Sequence, residues 1–312
     1  MTVHVLIPVH NRAGITIGCL SHLAAQTYPD MKVVVVDDGS TDGTSGKIKE
    51  TYPDAEILQG DGNLWWTGAM HMGVEHILKT ARPGDFILSL NDDTTFGEDY
   101  ISTLVEASVA NGRAVTGSLC WRRGVIDDYF IQGGSFNWTG WRGKMTTHYE
   151  TDGQDMPDVI EGLDFIFGRG VLIPLEVFEK AGNYNYRDLP HYGGDTEFTF
   201  RAKAAGFKLI ISTKALVYVD DSESTTGTHF SGGKIVPLYR AWQDMVSMRS
   251  AYQLKNNLKV VELCCPPGYR LRNMFKCTVR LLWSSFGRTR PLTALRWMYR
   301  ELLKRGPRSS WR

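Results

Sequence analysis

The sequence predicts an α/β fold: a doubly wound, mostly parallel sheet with flanking helices and a helical C-terminal extension. Three observations carry this. The β-branched runs "VHVLIPV" (Val3 to Val9) and "KVVVVDD" (Lys32 to Asp38) enclose a helix-length segment at residues 14–26, which makes a βαβ unit. "AEILQG" and "DFILSLNDD" continue the alternation, with a helix expected over residues 68–79 between them. After Gly233 the periodicity turns helical, and "PLTALRWMYRELLKRG" places Leu292, Leu295, Met298 or Tyr299, and Leu302 on one face.

The remaining elements follow in order. Residues 114–160 are rich in Gly, Trp, Thr and Asp and predict short strands and loops. "DVIEGLDFIFGRGVLIPLEVFEKAG" predicts a strand, a Gly-bounded turn and a helix beginning near Pro174, a residue suited to a first helical turn. "GGDTEFTFRAKAAGFKLIIS" predicts a helix, a stop at Gly206 and another strand. The 312 residues suffice for one large domain with a helical appendix.

With 35 basic and 34 acidic residues the net charge is +1, so no global field favours nucleic acid. The charge is uneven, however. From Arg270 onward twelve basic residues face a single acid, Glu301. Five cysteines without C-x-x-C spacing point to a reducing compartment. The start "MTVHVLIPVHNR" enters a strand without a leader pattern, and no apolar run reaches the roughly 18 residues of a membrane span. A cytoplasmic protein is expected, peripheral on the inner face of the cell membrane if its tail meets lipid.

Ligands of doubly wound sheets sit beyond the carboxyl ends of the strands. Three polar clusters fall there: Asp37-Asp38, residues 60–63, and Asn91-Asp92-Asp93. From composition alone "DDGSTDGT" reads equally as a turn with a helix cap. "GDGN" reads as a flexible turn, and the following Trp65-Trp66 pair as core aromatics.

The ordered set "IPVHNR", "VVVVDDGSTDGT" and "LNDDT" resembles the signatures of family 2 glycosyltransferases, which have the GT-A nucleotide-sugar fold. The resemblance runs from Val3 to about Tyr218. "DGNLWWTGAMHMG" is similar to a segment of members that build bacterial surface polysaccharides, including rhamnosyltransferase-like ones. It implies a GT-A catalytic domain over residues 1–232, with a donor half at about 1–113 and an acceptor half at about 114–232. A basic helical extension over 233–312 would follow.

The implied activity is inverting transfer of a sugar from a UDP- or dTDP-sugar donor to a hydroxyl of a glycan or lipid-linked glycan. A divalent cation, Mn²⁺ or Mg²⁺, would stabilise the leaving diphosphate, and such cations prefer oxygen ligands. By the resemblance Asn91-Asp92-Asp93 stands at the D-x-D motif, making Asp93 the metal ligand and Asp92 a ribose or supporting contact. Asn91 departs from the motif's first Asp. Asp37, with Asp38 beside it, would accept from the base N–H, and Pro8, Val9 and Arg12 would line the nucleotide pocket. Gly62 and Asn63, and the helix opened by Gly68, would approach the diphosphate or sugar, with Trp65 or Trp66 against the ring.

"HYGGDTEFTFRAKAAG" matches the family segment that carries the base, so Asp195 would take the acceptor's proton. Gly194 replaces the usual neighbouring acid, and Glu197 is the second candidate. The alternative for Asp195 is a helix cap with Glu197 in the first turn. Several relatives have a metal-binding His where this chain has Asp220-Asp221. Asp220 could supply an oxygen ligand, His229 could approach instead, or both acids could be solvated. Arg169 would meet phosphate or an acidic acceptor, or pack its stem on the surface.

The tail has two readings: an anionic membrane surface as partner, or an apolar stripe packed on the catalytic domain. Two other functions compete with transfer, a metal-dependent nucleotidyltransferase and a non-catalytic sugar-nucleotide or glycan-binding module. The first would need a basic Gly-rich loop after the first strand, where "IPVHNRAG" offers only Arg12.

Overall fold

The computed structural model describes residues 1–122, 129–140, 156–219, 236–287 and 289. The chain divides into two compact units, Met1–Ser224 and Thr225–Arg312.

The first unit opens with β1 (Val3–Val9), α1 (Ala13–Ala24), β2 (Met31–Asp37), α2 (Thr44–Thr51), β3 (Glu56–Gln59), α3 (Trp65–Ile77) and β4 (Phe86–Ser89). Next come β5 (Thr94–Thr95), α4 (Tyr100–Ala110), β6 (Val115–Arg122), β7 (Tyr129–Ile131) and β8 (Gly133–Gly134). It continues with β9 (Val159–Ile160), β10 (Phe165–Ile166), β11 (Val171–Pro174), α5 (Leu175–Ala181), α6 (Gly194–Ala204) and β12 (Leu209–Val219).

The main sheet runs β3-β2-β1-β4-β11-β6-β12-β5. β3, β2, β1 and β4 are mutually parallel, and so are β6 and β12. β11 runs antiparallel to both β4 and β6. Parallel pairing puts the carboxyl ends of the first four strands on one edge, where the polar clusters are.

Both faces of this sheet are covered, as its near-continuous apolar strands require. Val3, Val5, Ile7, Val33 and Val35 pack with Cys19, Leu20 and Leu23 of α1 on one side. Leu6, Val34 and Val36 point the other way, onto Met70, Val74 and Ile77 of α3. Strand alternation thus splits each apolar run between two cores.

Three differences from the sequence expectation have local causes. α3 begins at Trp65, three residues before Gly68, because the Asp38 carboxylate accepts from amides ahead of that glycine. α2 buries only Thr44 and Ile48, so its sequence has too little apolar periodicity to announce a helix. α4 buries Tyr100, Ile101, Leu104, Val105 and Ser108, a helical spacing present in the sequence but not anticipated.

The second unit contains α7 (Leu238–Val246), α8 (Leu254–Cys264), a 3₁₀ turn (Pro267–Tyr269) and α9 (Arg270–Phe286). α9 packs on both α7 and α8. The segment holding Leu292 to Leu302 lies outside the described residues. Among the described residues no helix is long and apolar enough to cross a membrane. All five cysteines are buried free thiols.

Candidate active site

The site is built from the loops that leave β1, β2, β3 and β4. The first loop enters α1, and Arg12 at its N-cap lines up with Thr16 and Cys19 of the helix at i, i+4 and i+7 spacing, one stripe of a helix. All three meet the loop after β4. The Arg12 guanidinium pairs with Asp92 Oδ1 at 2.9 Å and with Asp93 Oδ2 at 3.3 Å. The Thr16 hydroxyl donates to Asp92 Oδ2 at 3.1 Å, and the Cys19 thiol lies 3.7 Å from the Asn91 carbonyl oxygen.

Asp92 is therefore buried between a cation and a hydroxyl. Burial still pushes its carboxyl up to about 7, aided by the Asp93 charge and opposed by Arg12 and Thr16. Asp93 differs in one atom. Its Oδ1 is buried and accepts no hydrogen bond. An unsatisfied buried carboxylate oxygen is costly, and a hard divalent cation is the kind of partner that satisfies it.

The described residues contain no group of three or more His, Cys, Asp or Glu able to hold a metal. Asp220 and His229, the other sequence candidates, lie outside the described residues.

Asp37 and Asp38, at the end of β2, are both buried. Asp37 Oδ1 accepts from the Ser40 amide at 2.9 Å, and Oδ2 accepts from the Ser45 hydroxyl. Asp38 accepts from three amides: Gly62 at 2.8 Å and Leu64 at 3.2 Å through Oδ1, and Trp65 at 3.0 Å through Oδ2. It caps α3, and the amides that the sequence reading offered to a diphosphate are already taken. Gly68 lies a turn into the helix, with its amide donating to Leu64 at 3.1 Å. Asn63 is exposed and bonds to Asp61.

The loops after β2 and β3 touch backbone to backbone. A Cβ on Gly39 would sit 2.8 Å from the Gly62 nitrogen, closer than side chains approach, and both residues have positive φ. The loop after β1 is tied to the same structure. Asn11 accepts from the Thr41 amide at 2.7 Å, and Asp42 accepts from the Ala13 amide at 3.2 Å and the Thr44 amide at 3.0 Å. Pro8 is partly exposed at this edge, whereas Val9 turns its side chain into the core.

Trp66 joins the two halves of the site. Its indole Nε1–H donates to Asn91 Oδ1 at 3.1 Å. At the other end its ring covers Gly168, where a Cβ would come within 2.4 Å of the ring carbons. The Gly168 amide donates to Asp195 Oδ2 at 2.9 Å. Asn91, the departure from D-x-D, is thus the acceptor that holds this tryptophan. Trp65 has φ +57, a conformation uncommon outside glycine, and its ring lies 5.4 Å from that of His191.

Asp195 is the first acid of α6. The Thr196 amide donates to its Oδ1 at 2.7 Å, so both oxygens are fixed. Burial raises its pKa above the ordinary carboxylate range, outweighing the Gly168 and Thr196 amides that pull it down. Gly194 has a steric explanation: a Cβ there would lie 2.3 Å from the Thr67 hydroxyl oxygen. Glu197 is buried in a two-bond pair with Arg201, at 2.8 and 2.9 Å. Arg169 is partly buried, with an Nε that has no hydrogen-bond partner, and its charge is felt by Tyr192 and Cys120.

The family model described as "Glycosyl transferase family 2" matches residues 4–167. The chain belongs to glycosyl transferase family 2. Its fold is the GT-A fold, which solved structures share. One is the mannosyltransferase PcManGT from Pyrobaculum calidifontis in complex with GDP-Man and Mn²⁺, with TM-score 0.57 and 15% identity, covering 98% of this chain and 81% of that one.

Two curated relatives are bacterial. Glycosyltransferase GlyG of Streptococcus pneumoniae serotype 4 (strain ATCC BAA-334 / TIGR4) is 27% identical over 108 residues, 33% of this chain and 34% of GlyG. The poly(ribitol-phosphate) beta-glucosyltransferase of Bacillus spizizenii (strain ATCC 23059 / NRRL B-14472 / W23) is 23% identical over 268 residues, 83% of this chain. This family 2 chain spans 38% of the length of the Bacillus protein.

Sequence reasoning singled out Arg12, Asp92 and Asp195 but missed Thr16, Ser45, Thr67 and Gly168. Thr16 had a legible signal, since it falls on the Arg12 face of a predicted helix. Ser45 on α2, Thr67 on α3 and Gly168 in a loop join through tertiary packing that no local pattern specifies.

Proposed function

We propose that this family 2 protein is an inverting glycosyltransferase of cell-surface polysaccharide synthesis. It moves a hexosyl or deoxyhexosyl group from a UDP- or dTDP-sugar to a hydroxyl of a glycan or lipid-linked glycan, and it requires Mn²⁺ or Mg²⁺. The observation that carries this reading is the Trp66 bridge. Its indole bonds Asn91, beside Asp92 and Asp93, and its ring covers Gly168, whose amide donates to Asp195, which supports a donor-side acid cluster and a base of raised pKa acting on one substrate.

In this reading Asp93 offers Oδ1 to the cation, with Asp220 as a second oxygen donor. When bound, the cation supplies neutralisation of the charge growing on the leaving diphosphate. Arg12 and Thr16 hold Asp92 and Asp93 in place. Asp37 keeps acceptor capacity for the pyrimidine N–H, because each oxygen takes one protein bond and a carboxylate has about four acceptor positions. Pro8 and the backbone of Val9 border the base, and Trp65 and Trp66 wall the sugar.

Asp195 acts as general base. Its raised pKa makes it a better proton acceptor than an exposed aspartate, provided the medium keeps it ionised. As the acceptor oxygen bonds to the anomeric carbon, its proton passes to Asp195 and the sugar–phosphate bond breaks, with the diphosphate taking the electron pair. Arg169 faces a phosphate or acidic group of the acceptor. A nucleotidyltransferase fits less well, since the loop after β1 contributes Arg12 alone and Arg12 is engaged by two carboxylates.

The test is release of UDP or dTDP from a panel of sugar nucleotides with Mn²⁺. Metal-dependent release is expected from one donor, falling about a hundredfold or more in Asp93→Ala. No release from any donor, or unchanged metal-dependent release in the variant, overturns the reading. The C-terminal helices are proposed to meet an anionic membrane, which brings the enzyme to its acceptor.

A further inference from the structure

Helix α9 has its amphipathicity turned outward. The residues it buries are Asn273, Cys277, Leu281 and Ser285, an i, i+4, i+8, i+12 stripe with only one large apolar member. The opposite stripe is more apolar and lies in the open: Leu271, Phe275, Val279, Leu282 and Trp283 are 42% to 84% exposed. α7 repeats the pattern. It buries Ala241, Asp244 and Met245 while leaving Leu238, Tyr239, Trp242 and Val246 exposed within one quadrant of the helix. Exposed apolar residues gathered on one face of each of two packed helices mark an interaction surface.

The charge beside the surface selects its partner. Arg272, Lys276 and Arg280 form an i, i+4, i+8 row directly flanking Leu271, Phe275 and Val279. A second copy of this chain docking face to face with its α9 antiparallel would bring two such rows together, like charge against like. An anionic lipid surface instead offers negative headgroups to the row and an apolar interior to the stripe, with Trp and Tyr suited to the boundary.

We propose that the exposed face of α7 and α9 inserts into the headgroup boundary of an anionic phospholipid bilayer. Leu271, Phe275 and Trp283 enter the acyl region, and Arg272, Lys276 and Arg280 contact lipid phosphates. The proposal rests on the membrane contact proposed above and assigns it, within the helical extension over 233–312, to the exposed face of α7 and α9. It does not depend on the transfer chemistry.

The experiment is sedimentation of the full chain with vesicles of phosphatidylglycerol and phosphatidylcholine, or of phosphatidylcholine alone, at low and high salt. Strong binding to the anionic vesicles is expected, at least tenfold weaker to the neutral ones and reduced by salt. The double variant Phe275→Asp, Trp283→Asp should lose binding at least tenfold while keeping its melting temperature and donor hydrolysis, because both side chains are exposed. Arg272→Glu with Arg280→Glu should lose the preference for anionic lipid.

Equal binding to both vesicle types, no binding to either, or full binding by the double variant overturns the proposal. So does a wild-type dimer that the double variant converts to monomer. Vesicle binding without donor hydrolysis would sink the transferase reading alone, and hydrolysis without vesicle binding would sink this one alone.

Discussion

Two acidic pairs follow the strands that flank β1, and they are neutralised in different ways. Asp37-Asp38 is held by backbone amides and hydroxyls, five donors in all, and Asp38 serves as the cap of α3. Asp92-Asp93 is held by one guanidinium and one hydroxyl, which leaves Asp93 Oδ1 buried and without a hydrogen bond. Dipoles that belong to the fold stabilise the first pair whatever is bound. The second pair depends on a single side-chain cation and leaves one oxygen open to a further partner. Identical dipeptides after the strands on either side of β1 therefore differ in how available they are to a ligand.

The largest effect expected at this edge and across the cleft is kinetic. Asp195→Asn should lower transfer on the order of 10²–10⁴-fold if Asp195 is the base, with donor binding retained in a calorimetric titration. The wild-type acid limb should lie above the ordinary carboxylate range, because burial raises this group. Full turnover in the variant, or an acid limb in the ordinary range, would break the assignment.

Arg12→Gln comes next. It leaves buried carboxylates uncompensated, a loss of about 3 kcal/mol at neutral to alkaline pH. The sign with pH is specific. The folded-state pKa of Asp92 is raised to about 7 from 3.8, so through this group the folded state loses stability as pH rises across that window. Acidification protonates Asp92 and should shrink the cost of losing Arg12. Denaturant melts at about pH 8 and about pH 5.5 would show a smaller difference at the lower value, and a larger one would refute the pairing argument.

Asp38→Ala should cost about 2 kcal/mol, because it removes a helix cap and leaves three part-buried amide bonds without their acceptor. Unlike the Arg12 variant, it should be insensitive to Mn²⁺ in a thermal melt. The smallest effect is steric. Gly194→Ala should cost about 1–2 kcal/mol by overpacking against Thr67. Part of that loss should return in the double variant with Thr67→Ala, and strict additivity would show that the two residues do not meet.

Much of this fold was legible. Val3 to Val9 and Lys32 to Asp38 announce strands because β-branched runs between turn residues have few other solutions. α2 was not legible, since its eight residues bury only Thr44 and Ile48. For the candidate site, residue type and strand-end position singled out Asp38 and Asp92 but could not say what each touches. That Asp38 spends its oxygens on the amides of Gly62, Leu64 and Trp65 depends on a second loop brought alongside by β2–β3 pairing.

The sequence by itself determined the alternation of strands and helices, the clustering of acids at strand ends and the basic character of the C-terminal segment. Those properties are local, written in periodicity, turn chemistry and charge. The tertiary structure alone decided that Arg12 bridges Asp92 and Asp93, that Trp66 spans from Asn91 to Gly168 beside Asp195, and that α9 faces its apolar stripe outward. Each depends on which element packs against which, and burial of apolar surface selects that arrangement over the whole unit at once.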